Sequence, residues 1–302
     1  MKLKLMAATA TLALATAGAA NAQFYNPFSY FNGVNGGYIA GDIGVHEAEF
    51  EGDSSARDVT FDFSPESDYA AFLRAGFRFN ENIRLELEGG YRPGDLESVR
   101  AENANSVPQG LCTPGVRRTA ASPTCGNIDG EVNASTLMLN GIFDLDFDFS
   151  PFGQRIVPFI GVGVGAAEVH VKGFGQLSNV TTGGQTVRQS GFAEIQNLVV
   201  DDIERAFAYQ GLLGLSAQLT EQLALDLTGR FMMTNDIEIG SVTLNGTGGA
   251  TGPNNGGGNI LNLGTFDGNY RDTSVSLGLR YTFAAPPPPP PPPAPPPPPP
   301  PA

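Results

Sequence analysis

This sequence predicts an all-β fold, an antiparallel barrel of eight membrane-crossing strands. Three observations predict it. Eight segments alternate apolar and polar residues over about ten or more positions, the length a tilted strand needs to cross a bilayer. Short and long connections alternate strictly between those segments. Past the N-terminus, no stretch approaches the roughly 18 consecutive apolar residues of a membrane helix.

The eight segments are Gly37–His46, Asp68–Phe79, Ile83–Arg92, Val132–Leu145, Ile156–Val171, Ala206–Leu219, Leu223–Met233 and Tyr270–Phe283. Asn80-Glu81-Asn82 and Thr220-Glu221-Gln222 supply tight turns, and the connection around Ser150-Pro151-Phe152-Gly153 is modest. The remaining connections, 47–67, 93–131, 172–205 and 234–269, are longer than compact soluble domains usually tolerate. This rhythm predicts short periplasmic turns and four long extracellular loops.

Each strand carries two chemically distinct faces. Leu85, Leu87, Gly89 and Tyr91 oppose Arg84, Glu86, Glu88 and Arg92. Leu223, Leu225, Leu227, Phe231 and Met233 oppose Asp226, Thr228 and Arg230. Leu73, Ala75, Phe77 and Phe79 oppose Arg74, Gly76 and Arg78, and in the last strand Ser274, Ser276, Gly278 and Arg280 form the polar side. A soluble barrel would enclose its apolar face, but repeated arginine and glutamate on the other face reverse that choice. The apolar set is expected to face lipid and the charges to pair across a narrow lumen. Tyr69, Phe79, Tyr91, Phe143, Phe207, Tyr209, Phe231, Tyr270, Tyr281 and Phe283 are expected to form interfacial girdles.

The ends carry their own signals. Lys2 and Lys4 precede an apolar run from Leu5 to about Ala20, and Ala20-Asn21-Ala22 is a small-residue site, so cleavage is expected between Ala22 and Gln23. The chain then divides into a signal peptide at 1–22, a lead-in at 23–35, a barrel at 36–283 and a polyproline tail at 284–302. Loss of the two leader lysines moves the net charge from −14 to −16 and leaves Lys172 as the remaining lysine. That acidity disfavours nucleic acid or an anionic lipid surface as partners. Cys112 and Cys125, in a Pro/Gly-rich segment, predict one disulfide worth roughly 3 kcal/mol by loop entropy. The tail would reach roughly 45–50 Å as polyproline helix. A truncated coding sequence, a docking peptide and an inert remnant all remain readings of its end.

The strings GGYIAGDIGV, VPFIGVGVGAA, AFAYQGLLGLSAQLTEQLALDLTGRF and SVSLGLRYTF resemble the OmpA-like outer-membrane β-barrel family of Gram-negative bacteria. The resemblance covers the barrel domain, without the family's C-terminal peptidoglycan-binding domain. It implies an assembly signal in Leu277, Leu279, Tyr281 and Phe283, both termini in the periplasm, and a location in the cell outer membrane. The partners it implies are outer-membrane lipids and lipopolysaccharide, the barrel assembly machinery, and a periplasmic or cell-wall partner for the tail.

The expected role is structural: maintaining the envelope and presenting surface loops. The competing readings are a small gated diffusion pore and, further off, a lipid-modifying enzyme. The candidate lumen network is Arg74, Arg78, Arg84, Glu86, Glu88, Asp226, Arg230 and Arg280. No catalytic, metal or cofactor residues are expected. His46 and His170 sit at the loop-side ends of their predicted strands, and His170 is flanked by Val169 and Val171 rather than by a nucleophile. Phe192, Ile195, Leu198, Val199 and Ile203 fit either a short amphipathic helix or a strand extension.

Overall fold

The computed structural model describes residues 36–56, 59–102, 110–112, 128–145, 156–178, 196–220, 222–245 and 263–283. Among these residues it contains twelve strands, not eight. They are β1 (Gly36–Ser54), β2 (Thr60–Pro65), β3 (Asp68–Arg78), β4 (Ile83–Arg92), β5 (Leu96–Ala101), β6 (Gly110–Cys112), β7 (Asp129–Asp144), β8 (Ile156–Ser178), β9 (Gln196–Gln218), β10 (Leu223–Thr234), β11 (Ile237–Asn245) and β12 (Thr265–Thr282). Each of the eight alternating segments is a strand. The four extra strands fall inside the stretches that read as loops.

The pairings, all antiparallel, close into two stacked rings. Near the end that holds Gly36 and Thr282, the order is β1–β3–β4–β7–β8–β9–β10–β12 and back to β1. We call this the lower ring. Beyond it, β2, β5, β6 and β11 replace β3, β4, β7 and β10, giving β1–β2–β5–β6–β8–β9–β11–β12 and again β1. Four long strands, β1, β8, β9 and β12, therefore run through both rings. On β1 the change of neighbour falls between His46, opposite Asp68 of β3, and Phe50, opposite Phe63 of β2.

The turns of the lower ring follow from their residues. Asn80 Oδ1 accepts from the backbone N–H groups of Asn82 at 2.9 Å and Ile83 at 2.8 Å, so its side chain imitates a turn of backbone. Thr220 Oγ1 does the same for Leu223 at 3.0 Å.

Side-chain parity is constant along each long strand, but its chemistry inverts between the rings. On β1, Tyr38, Ala40, Asp42, His46, Ala48 and Phe50 all point inward. In the lower ring the outward positions are apolar: Ile43 is 67% exposed, Leu73 68% and Val162 72%. In the upper ring the outward positions of β1 become Glu47, Glu49, Glu51 and Asp53. The upper interior is a conventional apolar core of Phe50, Phe61, Phe63, Leu96, Val99, Leu198, Ile239 and Phe266, joined by Tyr270. Its aromatic rings contact edge-on, with Phe61–Phe266 centroids 5.6 Å apart and Phe63–Phe266 5.2 Å.

Several expectations change on this frame. Tyr270 is fully buried in the upper core rather than in an interfacial girdle, because it shares the inward parity of Asp272 and Ser274. His46 lies inside β1, not at a strand end, because β1 continues to Ser54. Leu198, Val199 and Ile203 lie on β9, which is the strand alternative; Phe192 and Ile195 lie outside the described residues. So do Ala22, Gln23, the polyproline tail and Cys125, while Cys112 is buried on β6.

Candidate functional site

Among the described residues, buried ionisable side chains converge in the interior of the lower ring. Its centre is Asp42 on β1. Asp42 accepts from Arg74 Nη2 on β3 at 2.7 Å and from Arg230 Nη2 on β10 at 2.6 Å. Arg74 also reaches Glu86 at 3.2 Å and Asp226 at 3.1 Å, and Arg230 donates to Glu88 at 3.0 Å and Ser276 at 2.6 Å. The Asp42–Arg230, Arg74–Asp226 and Arg230–Glu88 contacts tie walls of the barrel that the backbone does not pair. Space for them is reserved by glycine: a Cβ at Gly278 would collide with the Asp42 carboxylate, and one at Gly76 with the Tyr38 hydroxyl.

A second cluster closes the end nearest the termini. Asp144 accepts from Arg84 Nη2 at 2.7 Å and pairs with Arg78 Nη2 at 2.9 Å. Arg280 donates to Ser216 at 2.6 Å and stands 3.3 Å from Asp226. Tyr38 donates to Glu86 at 3.0 Å, and the guanidinium of Arg84 lies 5.0 Å from the centroid of Phe159.

A third cluster sits where the two rings meet. Arg92 Nε is 2.9 Å from Asp272, and Arg92 Nη1 donates to Thr136 at 2.9 Å. His46 bridges Asp272 at 2.7 Å and the Pro93 carbonyl at 2.6 Å. Phe72 lies under two guanidiniums, Arg230 at 3.9 Å and Arg92 at 4.8 Å from its centroid.

The eight residues singled out from sequence all belong to these clusters, Arg78 being the one with a partly exposed side chain. The sequence reading missed Asp42, Asp144 and Asp272, and left out Arg92 and His46 although their parity is inward. A signal for them existed: five arginines and three carboxylates do not balance in a lumen too narrow for much water. With the missed residues added, Arg74, Arg78, Arg84, Arg92, Arg230 and Arg280 face Asp42, Glu86, Glu88, Asp144, Asp226 and Asp272.

This arrangement can hold the barrel in shape, and it fills the lumen. Both nitrogens of His46 are engaged, and His170 pairs with Asp201 on the outer surface at 3.1 Å. Leu277, Leu279 and Tyr281 project outward on β12, and Phe283 follows the strand half-exposed.

A closed antiparallel barrel with an apolar exterior belt and an ion-paired interior defines an integral membrane protein of the β-barrel class. The chain belongs to the outer membrane protein beta-barrel domain family, whose profile matches residues 7–283. Membership places it in the outer membrane of Gram-negative bacteria. A curated relative, an outer membrane protein of Gluconacetobacter diazotrophicus, is 26% identical over 215 residues, covering 71% of this chain and 46% of the relative. The chain thus matches about half the length of that relative. Among solved structures, Neisserial surface protein A is similar over 83% of this chain and 100% of its own, at 13% identity and a TM-score of 0.41. Ail, the attachment invasion locus protein of Yersinia pestis, covers 82% and 99%, at 9% identity and a TM-score of 0.32. The outer membrane protease OmpT of Escherichia coli covers 84% and 98%, at 11% identity and a TM-score of 0.38. These three likenesses are too distant to say what the chain does.

Proposed function

We propose that the protein is a closed structural barrel that maintains the outer membrane and holds a rigid head at the cell surface. The lower ring is the eight-stranded transmembrane part, with its termini in the periplasm. The upper ring is the head, outside the bilayer. The observation that carries this reading is the double filling of the axis: buried ion pairs in the lower ring, then packed aromatic side chains in the upper. An axial solute path would have to break both the ion pairs below and the aromatic packing above. The acidic exterior of β1 suits a head standing in water among anionic headgroups bridged by divalent cations. In this reading Cys112 and Cys125 cross-link the head, Leu277, Leu279, Tyr281 and Phe283 serve recognition by the barrel assembly machinery, and the tail meets a periplasmic or cell-wall partner.

A gated diffusion pore is the second reading, and one observation favours it. Thr228 Oγ1, Ser274 Oγ, Asn140 Nδ2 and Arg92 Nη2 are buried without hydrogen-bond partners among the described residues, so the lumen has places for water. Planar-bilayer recording of the purified protein separates the two. The structural reading expects current no different from bare lipid; discrete, salt-dependent steps would replace it with the pore. For the envelope role, loss of the protein should raise sensitivity to detergents and large antibiotics, and unchanged sensitivity would count against it.

A further inference from the structure

We propose that His46, Asp272 and the Pro93 carbonyl form a proton-dependent clasp that fastens the upper ring to the lower. A backbone carbonyl only accepts, so the 2.6 Å contact between His46 Nε2 and Pro93 O requires a proton on Nε2. The other nitrogen, Nδ1, stands 2.7 Å from Asp272 Oδ2, and an ionised carboxylate also only accepts. A neutral imidazole protonated on Nε2 would set its Nδ1 lone pair against that oxygen. One further proton must therefore reside in the His46–Asp272 pair. Arg92 Nε, 2.9 Å from Asp272 Oδ1, favours the ionised carboxylate, so the proton rides on the imidazole.

The surroundings make this proton consequential. The side chains of His46 and Asp272 are both fully buried. From β12, Tyr270 Oη lies 3.5 Å from Asp272 Oδ2. From β4 come Arg92 and, one layer toward the termini, Glu88; from β10 comes Arg230, which bonds both Glu88 and Asp42 of β1. On β3 the register partner of His46 is Asp68, whose carboxylate is turned to the exposed Tyr69 N–H. Asp272 thus serves two cations, and the other donor at its Oδ2, the Tyr270 hydroxyl, stands at 3.5 Å against 2.7 Å for His46, too long to take over that contact.

The clasp holds a specific piece of chain. Pro93 follows β4 and leads through Gly94 and Asp95 into β5, the point at which the chain leaves one ring and enters the other. The same turn accepts from Val132 N at Gly94 O (2.8 Å) and from Glu66 N at Asp95 O (2.7 Å), so it also anchors the passage from β2 to β3. His46 reaches it from β1, over the intervening β3.

The sign follows from linkage. The folded pair binds its proton more tightly than an unfolded histidine, whose value is about 6.5. The stabilisation is complete below that value and is lost as pH rises through the higher folded-state value. The head is therefore fastened in acid and loosens as pH rises through that higher value.

Imidazole ¹⁵N spectra of the full-length His170→Gln protein in lipid nanodiscs read His46 alone. His46 should stay doubly protonated where a free imidazole is already neutral, and lose its proton only at a higher pH. Asp272→Asn should bring that midpoint down. Hydrogen exchange over residues 93–101, corrected for the intrinsic rate, should lose protection about tenfold across the same midpoint, and His46→Gln should abolish the pH dependence. A His46 that loses its proton at or below the midpoint of a free imidazole in the otherwise native protein overturns the proposal. So does an alkaline loss of protection that persists unchanged in His46→Gln. If Asp272→Asn does not fold, the spectrum of the His170→Gln protein still decides.

Discussion

The two rings share four strands and one inward parity, yet they are built on opposite chemistry. Asp42 and Phe50 lie on the same face of β1, eight residues apart, one held by two arginines and the other packed on Phe63 with centroids 5.3 Å apart. The surroundings, not the strand, set which filling is stable. Where lipid covers the wall, apolar residues gain nothing by turning inward, so the interior is left to polar groups that must satisfy one another. Where water covers the wall, burial of apolar area resumes its usual role, at about 25 cal/mol per Å².

The comparison can be broken at several points. The largest effect is expected from Asp42→Ala, which strands two buried guanidiniums at once; about 5 kcal/mol should be lost, measured by urea unfolding in lipid. Phe266→Ala should cost about 4 kcal/mol through the cavity it leaves, with hydrogen exchange rising across the upper ring and little change below. If protection were lost equally in both rings, the head would not be a separate layer of packing. Ile43→Arg and Glu49→Arg place the same charge on the outer face of the same strand. The first should cost about 3 kcal/mol because it meets hydrocarbon, and the second should be silent. Equal effects would move the bilayer boundary away from His46. The smallest effect is expected from Arg205→Ala. Its ion pair with Glu168 is exposed, so the unfolding midpoint should not shift measurably.

The same contrast explains what could be read from sequence. Alternation on β3, β4, β10 and the last part of β12 is unambiguous, because apolar-outward holds along those strands and their charges mark the inside. The rule fails at the junction. Glu47, Glu49 and Glu51 continue the outward face that began with Ile39 and Ile43, so a reading by chemistry ends the strand at His46 while the backbone runs on to Ser54. Tyr270 was misplaced for the same reason. β2, β5 and β6 are six, six and three residues long, too short to stand out among turn-forming neighbours. Their pairing partners are supplied by the extended β1 and β8, which only the closed ring reveals. Within the site, the arginines and the β4 glutamates were legible because they interrupt strongly apolar strands. Asp42 sits among glycines and alanine in GGYIAGDIGV, where nothing local distinguishes a lumen carboxylate from a turn residue.

The four through-strands form two ribbons, β12–β1 and β8–β9, the second paired continuously from Ile156–Ala217 to Gln176–Asn197. A ligand tugging on the upper ring along the barrel axis would load these ribbons lengthwise, so many hydrogen bonds would resist together in shear rather than opening one after another like a zipper. A surface element carried on separate loops would swing and stretch under the same pull. With the upper ring as the proposed head, the protruding part would be mechanically continuous with the membrane wall, and force applied outside would be delivered to the bilayer.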